Sequence, residues 1–338
     1  MLRVLVAIVA TAVVGHANAG GLSAERLGVL YNLDEPSSHE LALYYAARRS
    51  IPKANVVGVH LGAANILAPD TFAPLRLQAL DQLPTAVQSL ALVWSRPYAV
   101  GCMSVTTAFA AGYRADFCEP GCAPTAPNPL FDSDGWLPAD TVGWWPAMLI
   151  PTGDPAAARA LIERGIAADA ASPGGTVYLV RTKDASRNVR AATYVDTEET
   201  LAGRLRIVEL SEPVRNDVQD AIAYFTGTAR VAELPHIHFR PGAVADHLTS
   251  TGGVLSGGVQ MSAADWLKQG ATASYGAVSE PCNRLAKFPS VSVLLRHYLQ
   301  GETVIEAYWK SVQMPGQGLF IGEPLARPYA GRGLSARP

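Results

Sequence analysis

Short, continuously apolar runs alternate with helix-like stretches along most of this chain, and that alternation limits its architecture more than any other feature. Arg26–Asn32 (RLGVLYN), Ala54–Leu61 (ANVVGVHL), Ser89–Trp94 (SLALVW), Ala147–Ile150 and Thr176–Arg181 (TVYLVR) read as strands. Ile207–Leu210, Asp220–Thr226 (DAIAYFT), Ala243–Leu248 and Ala271–Val278 continue the series. None alternates cleanly between apolar and polar, as a strand with one wet face would; both faces are expected to be covered. Between them lie helical stretches over 39–49 behind a Ser38 cap, 74–83, 154–168 behind an Asp154 cap, 262–268, 290–298 and 304–312. The pattern predicts an α/β fold with a mostly parallel sheet flanked by helices.

The first residues stand outside that pattern. Met1-Leu2-Arg3 supplies a positive start, Val4–Val14 is apolar except for Thr11, and Ala17-Asn18-Ala19 offers a small-x-small cleavage site. This is the layout of a signal peptide over 1–19, with the mature chain beginning at Gly20 and exported to the periplasm or beyond. The run is shorter than the roughly 20 residues needed to cross a bilayer, and no later segment is long enough, so no membrane span is expected in the mature chain. Lys plus Arg is 27 against 29 Asp plus Glu with no basic cluster, which argues against a nucleic-acid partner. The expected organisation is one α/β domain over 20–328, an irregular subdomain near 102–145 and a tail over 329–338.

Four cysteines are present, in a chain expected to reach an oxidising compartment. Cys118 and Cys122, in C-E-P-G-C, are expected to pair because Pro-Gly turns the chain back between them. Cys102 and Cys282 remain with their pairing open. A C-x3-C without a nearby His is a poor zinc site. His236-Ile237-His238 has two candidate ligands and no evident third, and a solvated edge is the expectation there. Asp132-x-Asp134-Gly135 with Asp140 lacks the remaining acids of a calcium loop and reads as capped turns. The glycine pairs lack a nucleotide-binding context. No metal and no cofactor is expected.

The most informative stretch runs from Gly242 to Asn283. The strand 243–248 should end in Thr-Ser-Thr-Gly-Gly and the strand 271–278 in Ser-Glu-Pro-Cys-Asn. In a parallel sheet both turns belong to the carboxyl edge, where open α/β folds place ligands. Thr226, His247, Thr249, Ser250, Thr251, Glu280, Cys282 and Asn283 are therefore the expected binding cleft.

The motifs GATASYGAVSEPCN, EAYWKSV and GEPLARP together resemble a family of exported bacterial proteins without an assigned activity. That family is remotely similar to gingipain-type peptidases and other caspase-like hydrolases. The resemblance rests on the order of strands and helices, the Asp-Pro-capped helix at 154–168, the Gly270-Ala271 strand and Gly322-Glu323-Pro324. It implies a caspase/gingipain-like fold. Such enzymes carry a histidine at one strand end and a cysteine at the next. Here Thr226 stands at the first place, and Thr249 or Ser250 at the second. A threonine cannot serve as the base that activates a nucleophile. The expectation is accordingly a non-catalytic protein that binds a peptide or glycan or assists envelope assembly. The alternative is a cysteine peptidase built anew from Cys282 as nucleophile, His247 as base and Glu280 as orienter.

Overall fold

A computed structural model describes residues 21–118, 122–212, 214 and 217–331. The leader expected over 1–19 lies outside the described residues. In chain order the elements are β1 (Leu27–Asn32), α1 (Pro36–Arg49), β2 (Val56–Val59), β3 (Ile66–Leu67), α2 (Pro69–Asp81), β4 (Ser89–Val93), β5 (Ala99–Val100), β6 (Met103–Ser104) and α3 (Val105–Ala111). There follow α4 (Pro138–Val142), β7 (Ala147–Ile150), α5 (Pro155–Ala168), β8 (Thr176–Arg181), α6 (Tyr194–Thr200) and β9 (Arg206–Ser211). The last are β10 (Val218–Thr226), β11 (Ile237–His247), α7 (Ala263–Gln269), β12 (Ala273–Ala277), α8 (Val291–Leu299), α9 (Val304–Ser311) and β13 (Gly318–Gly322).

The fold is α/β. Ten strands form one sheet in the order β2-β1-β4-β7-β13-β12-β11-β10-β8-β9, flanked by helices, and β3, β5 and β6 make a small second sheet. Every neighbouring pair in the large sheet is parallel except β12 and β13. The sheet is thus two parallel halves that run in opposite directions and meet at one antiparallel seam. The carboxyl ends of β10, β11 and β12 lie at one edge, and those of β1, β4 and β7 at the other.

Strand β13 was not among the strands read from sequence. Its segment, GLFIG, begins and ends in glycine and lacks the length of an obvious strand. Both glycines are required by the seam. Gly318 pairs with Ala277, and a Cβ there would lie 1.7 Å from the Tyr275 hydroxyl oxygen. Gly322 has φ of 150° and sits against Ala273, where a Cβ would lie 2.6 Å from the Ala273 Cα. The central strands are buried along their length, which is why they read as apolar runs.

Helix α2 begins at Pro69, earlier than expected. Pro69 takes the first position, where a missing N–H is harmless, and Pro74 is carried inside the helix. Asp154 caps α5 as expected, accepting from the Ala156 and Ala157 N–H groups at 3.0 and 3.1 Å. The Ser262 cap of α7 is a capping box closed by Asp265.

The stretch 102–145 packs into the body. Phe117, Trp136 and Trp144 are buried, and the Asn128 amide donates to the Trp309 and Val312 carbonyls at 2.7 and 2.9 Å. Asp132 is held by His297 Nε2 at 2.9 Å and by Arg296, so its carboxylate serves the anchoring of this stretch. Packing also continues past residue 328, since Tyr329 is buried edge-on against Tyr298.

The expected Cys118–Cys122 bond is corrected by the structure. Cys102 pairs with Cys118 and Cys122 with Cys282, with Cα separations of 5.8 and 5.5 Å. Both lie inside the usual range for a disulfide. Cys118 faces back toward the turn that follows β5, and Cys122 meets the turn beyond β12. Cys102–Cys118 therefore closes a loop within this stretch, and Cys122–Cys282 ties the stretch to the turn beyond β12.

Candidate functional site

The carboxyl ends of β10 and β11 are in register, with Thr226 opposite His247. Beyond them the turn at 249–253 bends over the end of β12. The Gly253 N–H donates to the Ala277 carbonyl at 2.8 Å, and the 252–253 backbone lies directly against Gly276, so that a Cβ on Gly253 or Gly276 would collide with it. This first turn therefore sits where a crossover through α7 between adjacent parallel strands would put it. The second turn is held by other neighbours. Ser279 Oγ donates to the Cys102 carbonyl at 2.7 Å, Gln317 Nε2 to the Glu280 carbonyl at 2.7 Å, and Cys282 is bonded to Cys122.

His247 is buried, and both ring nitrogens are occupied. The Trp266 indole N–H donates to Nδ1 at 2.9 Å, and Nε2 lies 3.0 Å from the Met261 carbonyl. Nδ1 must accept, so the hydrogen is on Nε2, which donates to the carbonyl. Burial lowers the pKa to about 4. The ring is thus neutral and offers no free lone pair to take a proton from a nucleophile.

Cys282, the thiol of the alternative peptidase reading, is in a disulfide, and no cysteine is free among the described residues. Glu280 is exposed and accepts from the Cys282 backbone N–H at 2.7 Å. It orients its own turn; His247 is held by Trp266 and Met261 instead. The reactive constellation Cys282–His247–Glu280 is not assembled.

Other groups meet at the strand ends. Thr249 Oγ1 receives the Arg187 Nε–H at 3.0 Å and donates to Gln260 Oε1 at 2.8 Å. The same Gln260 oxygen accepts from the Thr251 N–H at 2.8 Å and the Thr251 hydroxyl at 3.0 Å. Arg187 is bridged to Asp184 at 2.8 Å, and its side chain is 26% exposed. Thr226 is buried, with its carbonyl accepting from the Leu248 N–H at 3.0 Å. Ser250 is partly exposed and Asn283 exposed. The accessible chemistry is hydroxyls, an amide and one guanidinium, which can hydrogen-bond a ligand and attract a negative group.

Beneath this surface is a buried ion pair. Arg190 and Asp246 are both shielded from solvent, with Arg190 Nη1 bonded to Asp246 Oδ1. Burial pushes the Asp246 carboxyl up, and the attraction of Arg190 opposes the shift. Nearby, Lys287 is buried with its ammonium on Gln317 Oε1 at 2.6 Å, and burial lowers its pKa.

Arg187, Gln260, Trp266 and the Arg190–Asp246 pair were not anticipated. Asp246 carried a readable signal: a carboxylate inside the apolar run AVADHL needs a cationic partner once that run is buried. Arg187 and Arg190 lie in a polar loop and give no periodic signal. The HIH segment gathers no ligand set. His236 pairs with Asp217 at 3.2 Å, and both it and His238 are exposed.

No family model matches the sequence, and no curated protein matches it. A solved structure described as "Structure of Protease" superposes with a TM-score of 0.48 and 11% identity, covering 91% of this chain and 79% of that chain. That likeness is too loose to inform the site, so the functional reading rests on this chain's own residues.

Proposed function

We propose that this is an exported, non-catalytic binding protein with a degenerate caspase/gingipain-like site, and that its cleft at the ends of β10 and β11 takes a peptide. The observation that carries the reading is the state of His247. Its two ring nitrogens are engaged by Trp266 and Met261, which leaves the strand ends without an imidazole base. Thr226, at the place where the resemblance puts histidine, and Thr249 or Ser250, at the place of the cysteine, supply no substitute base. Arg187 supports peptide binding: it is partly exposed, charged and oriented by Asp184 and Thr249. A carboxylate side chain or a peptide carboxyl terminus is the group it would hold. The glycan and assembly readings have no comparable group in their favour.

Export is part of the proposal. The leader-like sequence of 1–19 and two disulfides support it, since disulfides persist in oxidising compartments. No described helix is long and apolar enough to cross a membrane.

Activity-directed labelling tests the reading. The purified protein is treated without reductant with iodoacetamide and with a fluorophosphonate, which mark reactive thiols and hydroxyls. Neither is expected to label the native chain. Fluorophosphonate labelling of Thr249 or Ser250, lost in His247→Ala, would overturn it.

A further inference from the structure

Strand β9 ends the large sheet and pairs on one side, with β8; no described strand lies on its other side. The Glu212 N–H donates to the Arg181 carbonyl at 2.8 Å, so alternation along the strand turns the main-chain groups of Arg206, Val208 and Leu210 toward β8. Those of Ile207, Glu209 and Ser211 point outward, as the unpaired row of an edge strand does. Arg206, Glu209 and Ser211 are exposed, and Ile207, Val208 and Leu210 are half-buried, so this edge is open. The strand carries no proline or lysine, and its register with β8 has no bulge, so devices that commonly blunt a sheet edge are missing from it.

The order of residues along this edge is self-complementary. Arg204 and Arg206, both exposed, stand at its start, Val208 and Leu210 in its middle and Glu212 at its end. Antiparallel pairing of two copies lays the cationic start of one along the anionic end of the other. A two-fold axis perpendicular to the joined sheet sets residues of the same face opposite each other, so the axis must pass through a residue. An axis at Glu209 would oppose two carboxylates, and one at Ile207 would set Arg206 against Val208. An axis at Val208 sets Val208 against its own copy and Arg206 against Leu210, diagonal to Glu212, with Arg204 beyond. Opposite charges then neighbour each other twice, and no like charges are directly opposed. Glu209 meets Ile207, its carboxylate neutralised by Arg181, whose Nη2 is 2.9 Å away.

We infer that β9 is the contact of a two-fold dimer of this chain, in which two copies pair antiparallel about Val208 and their large sheets become one. The outward N–H and C=O groups of Ile207, Glu209 and Ser211 gain partners there, and Val208 packs on Val208. The occupant is a second copy rather than a foreign strand, because β9 and its flanking residues supply both halves of the charge match. This interface does not depend on the reading of the strand-end cleft.

Sedimentation equilibrium of the purified full chain, over about 1–100 μM, tests it. A monomer–dimer equilibrium is expected, lost in Val208→Lys, which sets two ammonium groups together on the axis. Glu212→Arg should weaken the dimer by about tenfold, and adding Arg204→Glu should restore it, because the swap re-forms opposite charges across the axis. Circular dichroism checks that each variant is folded. Val208→Cys reads the register and serves even if Val208→Lys fails to fold. The main-chain groups of Val208 face β8, so the two copies of this residue form a non-hydrogen-bonded pair with Cα atoms about 4.5 Å apart, within disulfide reach. Mild oxidation should therefore link two chains through position 208, whereas Glu209→Cys should leave them unlinked. A chain still monomeric at about 100 μM would overturn the dimer. A dimer undiminished by Val208→Lys, or linked through position 209 in place of 208, would also overturn the proposal.

Discussion

Replacing Gly165 by alanine separates two physical arguments that predict opposite signs. Gly165 lies inside α5, where alanine is favoured over glycine by about 1 kcal/mol. On propensity alone the substitution stabilises. The structure places Glu323 directly against it: a Cβ at 165 would lie 2.4 Å from Glu323 Oε2 and 2.7 Å from its Cγ. A free carboxylate could move aside, but this one is fully buried and clamped. Its Oε1 accepts from the Tyr45 hydroxyl at 2.7 Å, Arg49 Nε at 3.0 Å and the Leu325 N–H at 3.3 Å, while Oε2 receives Arg49 Nη2. Overpacking costs typically about 1–3 kcal/mol, and disturbing a hydrogen bond to a buried charge about 1.5–3 kcal/mol. Set against the helical gain, the net should be a loss of about 2 kcal/mol, or a fall in Tm of several degrees. Glu323→Ala should cost more, about 3–5 kcal/mol, because it strands Arg49 without its buried partner. In that background the obstacle is gone, so adding Gly165→Ala should recover about 1 kcal/mol. Urea unfolding of the wild type, both single variants and the double variant measures the cycle. A stabilised Gly165→Ala single variant, or the same loss in both backgrounds, would refute the assignment of Glu323 as the clamp joining α1, α5 and the end of β13.

His247 has a pKa lowered to about 4 by burial, below its unfolded value of 6.5, so its contribution to stability is present above pH 6.5 and is lost as pH falls toward 4. That loss is on the order of 3 kcal/mol, and His247→Gln should remove this part of the pH dependence in unfolding titrations between pH 7 and 4. Peptide mapping without reduction should recover Cys102 linked to Cys118 and Cys122 linked to Cys282, and recovery of a Cys118–Cys122 peptide would contradict the structure. Cys122→Ser/Cys282→Ser should lower stability by about 2–5 kcal/mol in a thermal melt. Gly318→Ala should be more damaging than either, yielding little folded protein by circular dichroism, because its methyl has no space against Tyr275.

The parts legible in the sequence were those governed by burial. Strands covered on both faces must be apolar throughout, so SLALV, AMLI and TVYLVR announced themselves, and Asp154 and Ser262 marked the starts of α5 and α7. The direction of β13 was not legible. Whether a strand enters parallel or antiparallel depends on the path of the chain, and GLFIG reads the same either way. The disulfides misled for a related reason. C-E-P-G-C is a favourable local turn, but Cys122 meets a partner 160 positions away, a proximity created only by the folded body. At the candidate site His247 was visible as a strand-end imidazole, while the engagement of its Nδ1 depends on an indole from a different element. Arg187 reaches Thr249 across 62 positions, and no local pattern encodes such a pair.

Under the proposed function, the ends of β10 and β11 bind peptide without cleaving it. The direct measurement is mass spectrometry of a defined pool of synthetic peptides, rich and poor in acidic residues, after incubation with the wild type and with Arg187→Ala. Peptide masses are expected to be unchanged throughout. Acidic peptides should be retained on the wild-type chain and released by Arg187→Ala. Cleavage products formed by the wild type and absent with Thr249→Ala would contradict it.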